Sequence, residues 1–373
     1  MTRAGWDEVV LLTGFPSFLA RKVCAGLLEE RPRAVVRAVV RAKFLPEARA
    51  ACEALPKGHA ARVDLIEGDA ASMDLGLSGA ELRALGREVD VIHHCAHVSY
   101  PGVDRENAEH VNVGGALEVL EVARACPGLR ALVHYSTASV SGDRAGHVLE
   151  EDLAKGQGFH NVVEETSAKA EHVMRAAAPE VPVVVLRPSI IVGDSKTGEV
   201  DRMDGPYLLI LLMLTSPPDL AMPLPGRGDV LLNMVPVDYV VRAALALERD
   251  PRAIGRTFHL ADPAPLTARR VFELVARAGG RRTPRGFIPA NLTKALLRTP
   301  GIERFVRSPR AFIETLGTNV TYSTRNADEL LGATGVRCPP FEEYVDTIVE
   351  YASQRLKGRR DAKDLDDVPD PLG

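Results

Sequence analysis

At 373 residues the chain exceeds one minimal domain and can bury a sizeable core, alone or with a smaller satellite domain. Hydrophobic residues make up 46% and charged residues 26%, close to globular averages, which excludes wholesale disorder, collagen and coiled coil. A formal net charge of −4, with no long basic block before the final residues, argues against a nucleic-acid partner, because phosphate-binding surfaces carry a basic excess.

Five cysteines (Cys24, Cys52, Cys95, Cys126, Cys338) are scattered along the chain. With no signal peptide in view they read as reduced thiols of a cytoplasmic protein. The longest apolar run, Leu208 to Leu214, falls far short of the roughly 20 residues that span a bilayer, so no membrane span is expected.

In chain order, Val9 to Leu12 is a short apolar run closed by Thr13-Gly14. Phe18, Leu19, Val23, Leu27 and Leu28 then recur at helical spacing. Further strand-like runs lie at Val35 to Val40, 61–67, Val89 to His94, Ala131 to Tyr135 and Val181 to Leu186, with helix-like stretches at 44–55, 79–87, 105–125 and 161–178. Apolar strands alternating with helices predict an α/β fold: a doubly wound, Rossmann-type parallel sheet covered on both faces, with ligands at the carboxyl ends of the strands. His93 and His94 are neighbours in one strand and face opposite sides, which reads as core or rim histidines; no metal site is expected.

After about residue 190 the rhythm loosens, and Pro217, Pro218, Pro223, Pro225, Gly226 and Gly228 crowd one stretch. The expected division is a dinucleotide-binding domain over 1–190 and a smaller α/β cap over 191–353 that interleaves with it. From Gln354 onward charged residues displace large apolar ones, and 354–373 reads as a disordered tail.

Strand, Thr13-Gly14-Phe15-Pro16-Ser17-Phe18-Leu19-Ala20, then helix is the context of a dinucleotide loop. There the first glycine allows the tight turn, the second lets the backbone approach the pyrophosphate, and the third lets helix and strand pack. Gly14 fills the first role and Ala20 the last, while Ser17 takes the middle one, where a side chain crowds the phosphate. Arg41, followed by Lys43, closes the second strand, where an arginine suits the 2′-phosphate of NADP and an acid would suit NAD; a solvated surface charge is the alternative. Asp69 closes the third strand, either as acceptor of the adenine amino group or as a helix N-cap. NADP(H) is thus expected ahead of NAD(H).

Together with this loop, several segments resemble the extended short-chain dehydrogenase/reductase family and its fatty-acyl and thioester reductase-like branch. They are Gly68-Asp69, Asp90-Val91-Ile92-His93-His94-Cys95-Ala96, Val111-Asn112-Val113-Gly114-Gly115, Ser136 to Gly142, Arg187 to Ser195, Asp204-Gly205-Pro206-Tyr207 and Asn233 to Val240. The resemblance runs from residue 9 to about 350. It implies that Asn112 holds the active-site helix and that Thr137 hydrogen-bonds a substrate carbonyl. Ala96 would lie against the ribose and nicotinamide, with Arg187, Pro188 and Ser189 beside the latter. Tyr207 and Val163 would face the substrate pocket.

The same family works with a Tyr-x-x-x-Lys pair, in which the lysine lowers the tyrosine pKa from about 10 and binds the ribose. The helix here reads Asn161-Val162-Val163-Glu164-Glu165-Thr166-Ser167-Ala168-Lys169-Ala170-Glu171. Val163 stands for the tyrosine and Ser167 for the lysine. No tyrosine occurs between Tyr135 and Tyr207, so no shift of register restores the pair. Lys169 lies about 200° round the helix from the lysine position and forms an i,i+4 pair with Glu165.

Three functions follow from this sequence. The first is an atypical oxidoreductase for a hydrophobic carbonyl or acyl-type substrate, taking its proton from water, the substrate, His160 or Glu165. The second is a catalytically silent pseudoenzyme, acting as a nucleotide-sensing or protein-binding module. The third is a non-redox isomerase or condensing enzyme. The expected partner is a small hydrophobic substrate or ligand, with a homodimer or protein partner left open.

Overall fold

The computed structural model describes residues 5–100, 102–217, 219, 221–225, 228–288 and 319–361. Its first half alternates strand and helix: β1 Glu8–Thr13, α1 Phe18–Glu30, β2 Ala34–Val40, α2 Leu45–Glu53, β3 Val63–Glu67, α3 Gly79–Gly86 and β4 Val91–His94. Then follow α4 Arg105–Ala108, a π turn Glu109–Gly114, α5 Gly115–Arg124, β5 Ala131–Tyr135, β6 Gly146–Val148, α6 Val162–Ala177, β7 Val183–Pro188 and β8 Ile190–Val192. The second half holds α7 Pro206–Thr215, β9 Leu224–Pro225, β10 Leu231–Leu232, β11 Met234–Pro236, α8 Val237–Leu247, β12 Thr257–Leu260 and β13 Leu266–Thr267. It closes with α9 Ala268–Ala278, β14 Phe287–Ile288, β15 Val320–Tyr322, α10 Arg325–Leu331 and α11 Val345–Asp361.

Seven strands form one sheet in the order β12-β7-β5-β4-β1-β2-β3, with every neighbouring pair parallel. Strand order reverses between β1 and β4, which opens a crevice at their carboxyl ends. Alternation along β1 shows why both faces are covered. Val10 and Leu12 pack with Val23 and Leu27 of α1 and Val240 and Ala244 of α8. Val9 and Leu11 pack on the other face with Val119 and Leu120 of α5 and Met174 of α6.

The second half of the chain is shared between this sheet and a cap. After β7 it leaves the sheet, then returns through α8 and β12, and β12 pairs with β7. Local pattern carries little signal for β12, because its four residues include Thr257 and His259, both buried polar groups. The cap has its own core, where α7, apolar on every side, packs with Phe272 and Val275 of α9 and Ile348 and Val349 of α11. A cavity of about 10 Å³ remains there, room for about one water.

α11 continues through Asp361, past Gln354, where a disordered tail is expected from composition. Ala352 and Leu356 are buried, and Arg355 donates to the carbonyl of Val200 at 2.6 Å, which holds the helix on the cap. Residues 362–373, Pro218 and Gly226 lie outside the described residues. Among the described residues no helix is long and apolar enough to cross a membrane.

Candidate active site

The turn between β1 and α1 is built on close approach. Gly14 has φ +82°, and a Cβ there would lie 2.6 Å from the backbone of Cys95 and Ala96, so only glycine fits. The Thr13 hydroxyl bonds His94 Nδ1 at 2.9 Å and accepts from Ala96 N at 3.3 Å, tying the end of β1 to the end of β4. Ser17 N donates to Gly14 O at 2.9 Å, and the Ser17 side chain caps nothing. The opening amides of α1 can therefore meet an anion. Phe15 and Pro16 are buried, while Phe18 and Leu19 are half-buried against the core.

At the other end of the crevice Arg41 and Lys43 share one aromatic ring. The Arg41 guanidinium lies 5.5 Å from the centre of Phe44 and the Lys43 ammonium 4.8 Å from it. Arg41 Nε stands 3.9 Å from Asp69 Oδ2. Asp69 also accepts from Ala71 N at 3.0 Å, so it closes its own turn while lying at the ends of β2 and β3. Arg41 thus lies beside a partly exposed carboxylate, with Lys43 on the same aromatic ring.

Between these ends, Asn112 sits in the π turn and is 1% exposed. Its Oδ1 accepts from Val98 N at 2.8 Å, and its Nδ2 donates to Thr166 Oγ1 at 2.9 Å. One amide thus joins the loop after β4, the turn before α5, and α6. Thr137 Oγ1 accepts from Ser139 N at 3.2 Å, which leaves its own proton to donate. Ser189 Oγ is buried with no hydrogen-bond partner among the described residues. An orphaned hydroxyl at the end of β7 and the Gly14 cradle both fit a bound dinucleotide.

Val163 is 7% exposed and packs with Ala96, Val98, Val103 and Val111. Four residues on, the Ser167 hydroxyl donates to Val163 O at 2.6 Å. His97 Nε2 lies 2.8 Å from the same Ser167 Oγ. Sequence reasoning passes over His97, a single histidine in a loop with no spacing partner.

Several expected roles need correction. Glu165, named as a substitute acid, is held between Arg105 and Lys169, each at 2.9 Å, and these cations pull its pKa down to about 2. It is an anion at neutral pH. His160 Nδ1 is spent on Glu164 at 3.0 Å, and Glu164 also accepts from His160 N and Asn161 Nδ2. Lys169 pairs with Glu109 and Glu165.

Arg187 does not offer its side chain to a cofactor. It is fully buried, donates to Glu171 at 2.6 and 2.9 Å and to Asp152 O at 2.6 Å, and touches His259 at 3.2 Å. Ser136 donates to Glu171 at 2.7 Å. This network ties β5, α6, β7 and β12 together; Pro188 closes β7 behind it. Tyr207 is 2% exposed, lines the small cavity of the cap core, and accepts from Gly193 N at 2.8 Å. It packs in the cap core. His93 and His94 are fully buried, and desolvation holds His93 down at about 3.

Strand order, glycine turn and reversal crevice together define an extended short-chain dehydrogenase/reductase. Residues 12–244 match the male sterility protein family of NAD-binding domains, and the chain belongs to that family, on the fatty-acyl and thioester reductase-like branch. Relatives include fatty acyl-CoA reductase wat of Drosophila melanogaster, 28% identical over 46% of this chain and 38% of that protein. Nonribosomal peptide synthetase asaC of Aspergillus flavus is 30% identical over 51% of this chain and 19% of its own length. The chain therefore spans well under half the length of these curated relatives. Among solved structures, the terminal R domain from the myxalamid PKS-NRPS biosynthetic pathway superposes with a TM-score of 0.78 at 23% identity, covering 94% of this chain and 92% of that one. UDP-glucuronic acid 4-epimerase from Bacillus cereus, in complex with NAD, gives 0.67 at 18% identity, covering 93% and 99%. At these identities the likeness is one of fold.

Proposed function

We propose that this chain is an NADP(H)-preferring oxidoreductase that reduces a hydrophobic carbonyl or acyl-type substrate without the tyrosine and lysine of its family. The observation that carries the reading is the crevice formed by the Gly14 turn and the buried, unpartnered Ser189 hydroxyl, on a chain with Val163 and Ser167 where the family resemblance puts the tyrosine and the lysine. The cofactor supplies the hydride when bound. Gly14 and the amides after Ser17 seat the pyrophosphate, Arg41 and Lys43 meet the 2′-phosphate, and Asp69 takes the adenine edge. Ala96 and Ser189 flank the nicotinamide. Thr137 donates to the carbonyl oxygen, and Val163 with Ala96 and Val98 offers an aliphatic wall that keeps the reacting carbon out of water.

Fluorescence titration with NADPH and NADH, followed by a panel of lipophilic aldehydes and acyl thioesters, tests this. NADPH consumption with any of them supports the reading. Tight binding with no consumption supports the second reading, a silent nucleotide-binding module. That reading has one observation in its favour: Val163 is buried in a hydrophobic cluster with Ala96, Val98, Val103 and Val111. Substrate turnover with the nicotinamide unchanged would point to isomerisation or condensation.

A further inference from the structure

Between Ala268 and Phe287 the chain holds six arginines (Arg269, Arg270, Arg277, Arg281, Arg282, Arg285), no lysine and one acid, Glu273, although its formal net charge is −4. The fold gathers them on one side of the cap. α9 buries Val271, Phe272, Leu274 and Val275 in the cap core, and Arg269, Arg270 and Arg277 are exposed. Arg270 and Arg277, seven residues apart, share one stripe of the helix. The chain then doubles back along α9. At the end of the helix Arg281 N donates to Ala276 O and its guanidinium to Leu214 O on α7. At the start, the Arg269 guanidinium lies 5.8 Å from the centre of the Phe287 ring on β14. Arg282 and Arg285, between these points, are exposed, and Phe287 is 60% exposed.

The acids that face these arginines do not cancel them. Glu273 and Glu342 stand 3.6 and 3.9 Å from Arg270. Asp219 lies 3.2 Å from Arg282, with side chains 91% and 64% exposed. Pairs so open to water contribute little, and three acids against six arginines leave the face cationic. The residues that follow, 289–318, add five basic side chains and only two acidic ones, so their charge does not balance it either.

We propose that the α9 face of the cap docks peripherally on an anionic phospholipid surface. A guanidinium fork pairs two oxygens of a phosphate, and a bilayer presents phosphates across a plane, which suits arginines spread over a helix and the segment beside it. An exposed aromatic ring next to a cation takes its place at headgroup level. The docking is independent of the reductase reading, because it needs neither cofactor nor turnover.

The test is co-sedimentation of the full chain with vesicles of phosphatidylcholine alone and of an equal mixture of phosphatidylcholine and phosphatidylserine. Binding to the mixed vesicles and not to the neutral ones is expected, and it should weaken as salt is raised. Arg277→Glu, Arg282→Glu and Arg285→Glu together should lower the partition on the order of a hundredfold, about fivefold for each arginine. Phe287→Ser should lower it by about tenfold, and this single exposed change keeps the test open where the triple variant unfolds. The same charge change at Arg33, Arg124 and Arg252, exposed residues before β2, on α5 and before β12, should leave the partition nearly unchanged. Equal binding to both kinds of vesicle, or equal loss in the two triple variants, overturns the inference. So does tight binding of polyglutamate without binding to vesicles, which would assign the face to an acidic protein.

Discussion

A valine can neither give nor take a proton, and the polar side chain one turn on from Val163 is Ser167, whose hydroxyl donates to Val163 O and meets His97 Nε2. Glu165 is excluded by its two cations. Its carboxylate is ionised in the folded chain down to about pH 2, below the unfolded value of about 4.3. Its contribution is therefore present above the unfolded pKa and lost as pH falls toward about 2. A surface triad of this kind adds about 1 kcal/mol or less. Glu165→Gln should leave turnover within about twofold and soften stability only slightly; a collapse of turnover would show that the carboxylate does serve the reaction. At the adenine end, Arg41→Ala should weaken NADPH binding by about tenfold or more, the loss of about 1.5–3 kcal/mol expected for a charge-assisted bond, and leave NADH binding nearly unchanged. Equal weakening of both cofactors would count against a 2′-phosphate contact. The register that sets Val163 and Ser167 against the family's tyrosine and lysine is a reading of the sequence alone, from the framing residues Asn161, Glu164, Thr166, Ala170 and Glu171. His97 was not legible, since its contact with Ser167 joins residues 70 apart in the chain.

α6 is the element that joins site to scaffold. One side of it carries Val163 and Ser167 toward the loop after β4. Thr166 meets Asn112, and Glu171 anchors Arg187 with neither side chain exposed. Removing one partner of a buried ion pair strands the other, at a cost of about 3–5 kcal/mol. Glu171→Ala should therefore shift the denaturation midpoint strongly; a loss under about 1 kcal/mol would mean that Arg187 finds other compensation from Asp152 and His259. The Gly14 turn is equally unforgiving, and Gly14→Ala should abolish NADPH binding, because the new methyl falls on the backbone of Cys95 and Ala96. The first five strands and β7 were readable as apolar runs, since a doubly covered sheet demands continuous hydrophobicity. β12 escaped because His259 is buried through a partner on another strand, Arg187, a relation that local pattern cannot carry. The side-chain surroundings of Tyr207 and Arg187 were not legible for a related reason: their positions in the chain match a motif, while their partners, Gly193 in the cap and Glu171 on α6, lie elsewhere in sequence.

For the molecule as a whole, buried histidines set the response to acid. Desolvation lowers His93 and His134 to about 3 and His259 to about 4. Unfolded, each would titrate near 6.5. Below that pH the unfolded chain binds more protons than the folded one, so this stability is fully present above about pH 6.5 and is lost as pH falls toward the folded values. Each group contributes up to about 1.4 kcal/mol per pH unit in that window. Urea midpoints should therefore fall steeply between about pH 6.5 and pH 4.5; a flat profile would show that these rings are protonated in the folded chain. Cofactor should act in the opposite sense, since NADPH at a hundred times its Kd adds about 2.7 kcal/mol.

The most direct trial of the central claim is a single turnover of the unmodified chain. Enzyme in excess is mixed with NADPH and a lipophilic aldehyde, and the reduced-nicotinamide absorbance is followed. The account predicts a decay matched by alcohol formed, in a chain whose crevice has no tyrosine at the usual place. Saturable NADPH binding with no decay across the aldehyde and thioester panel would contradict it.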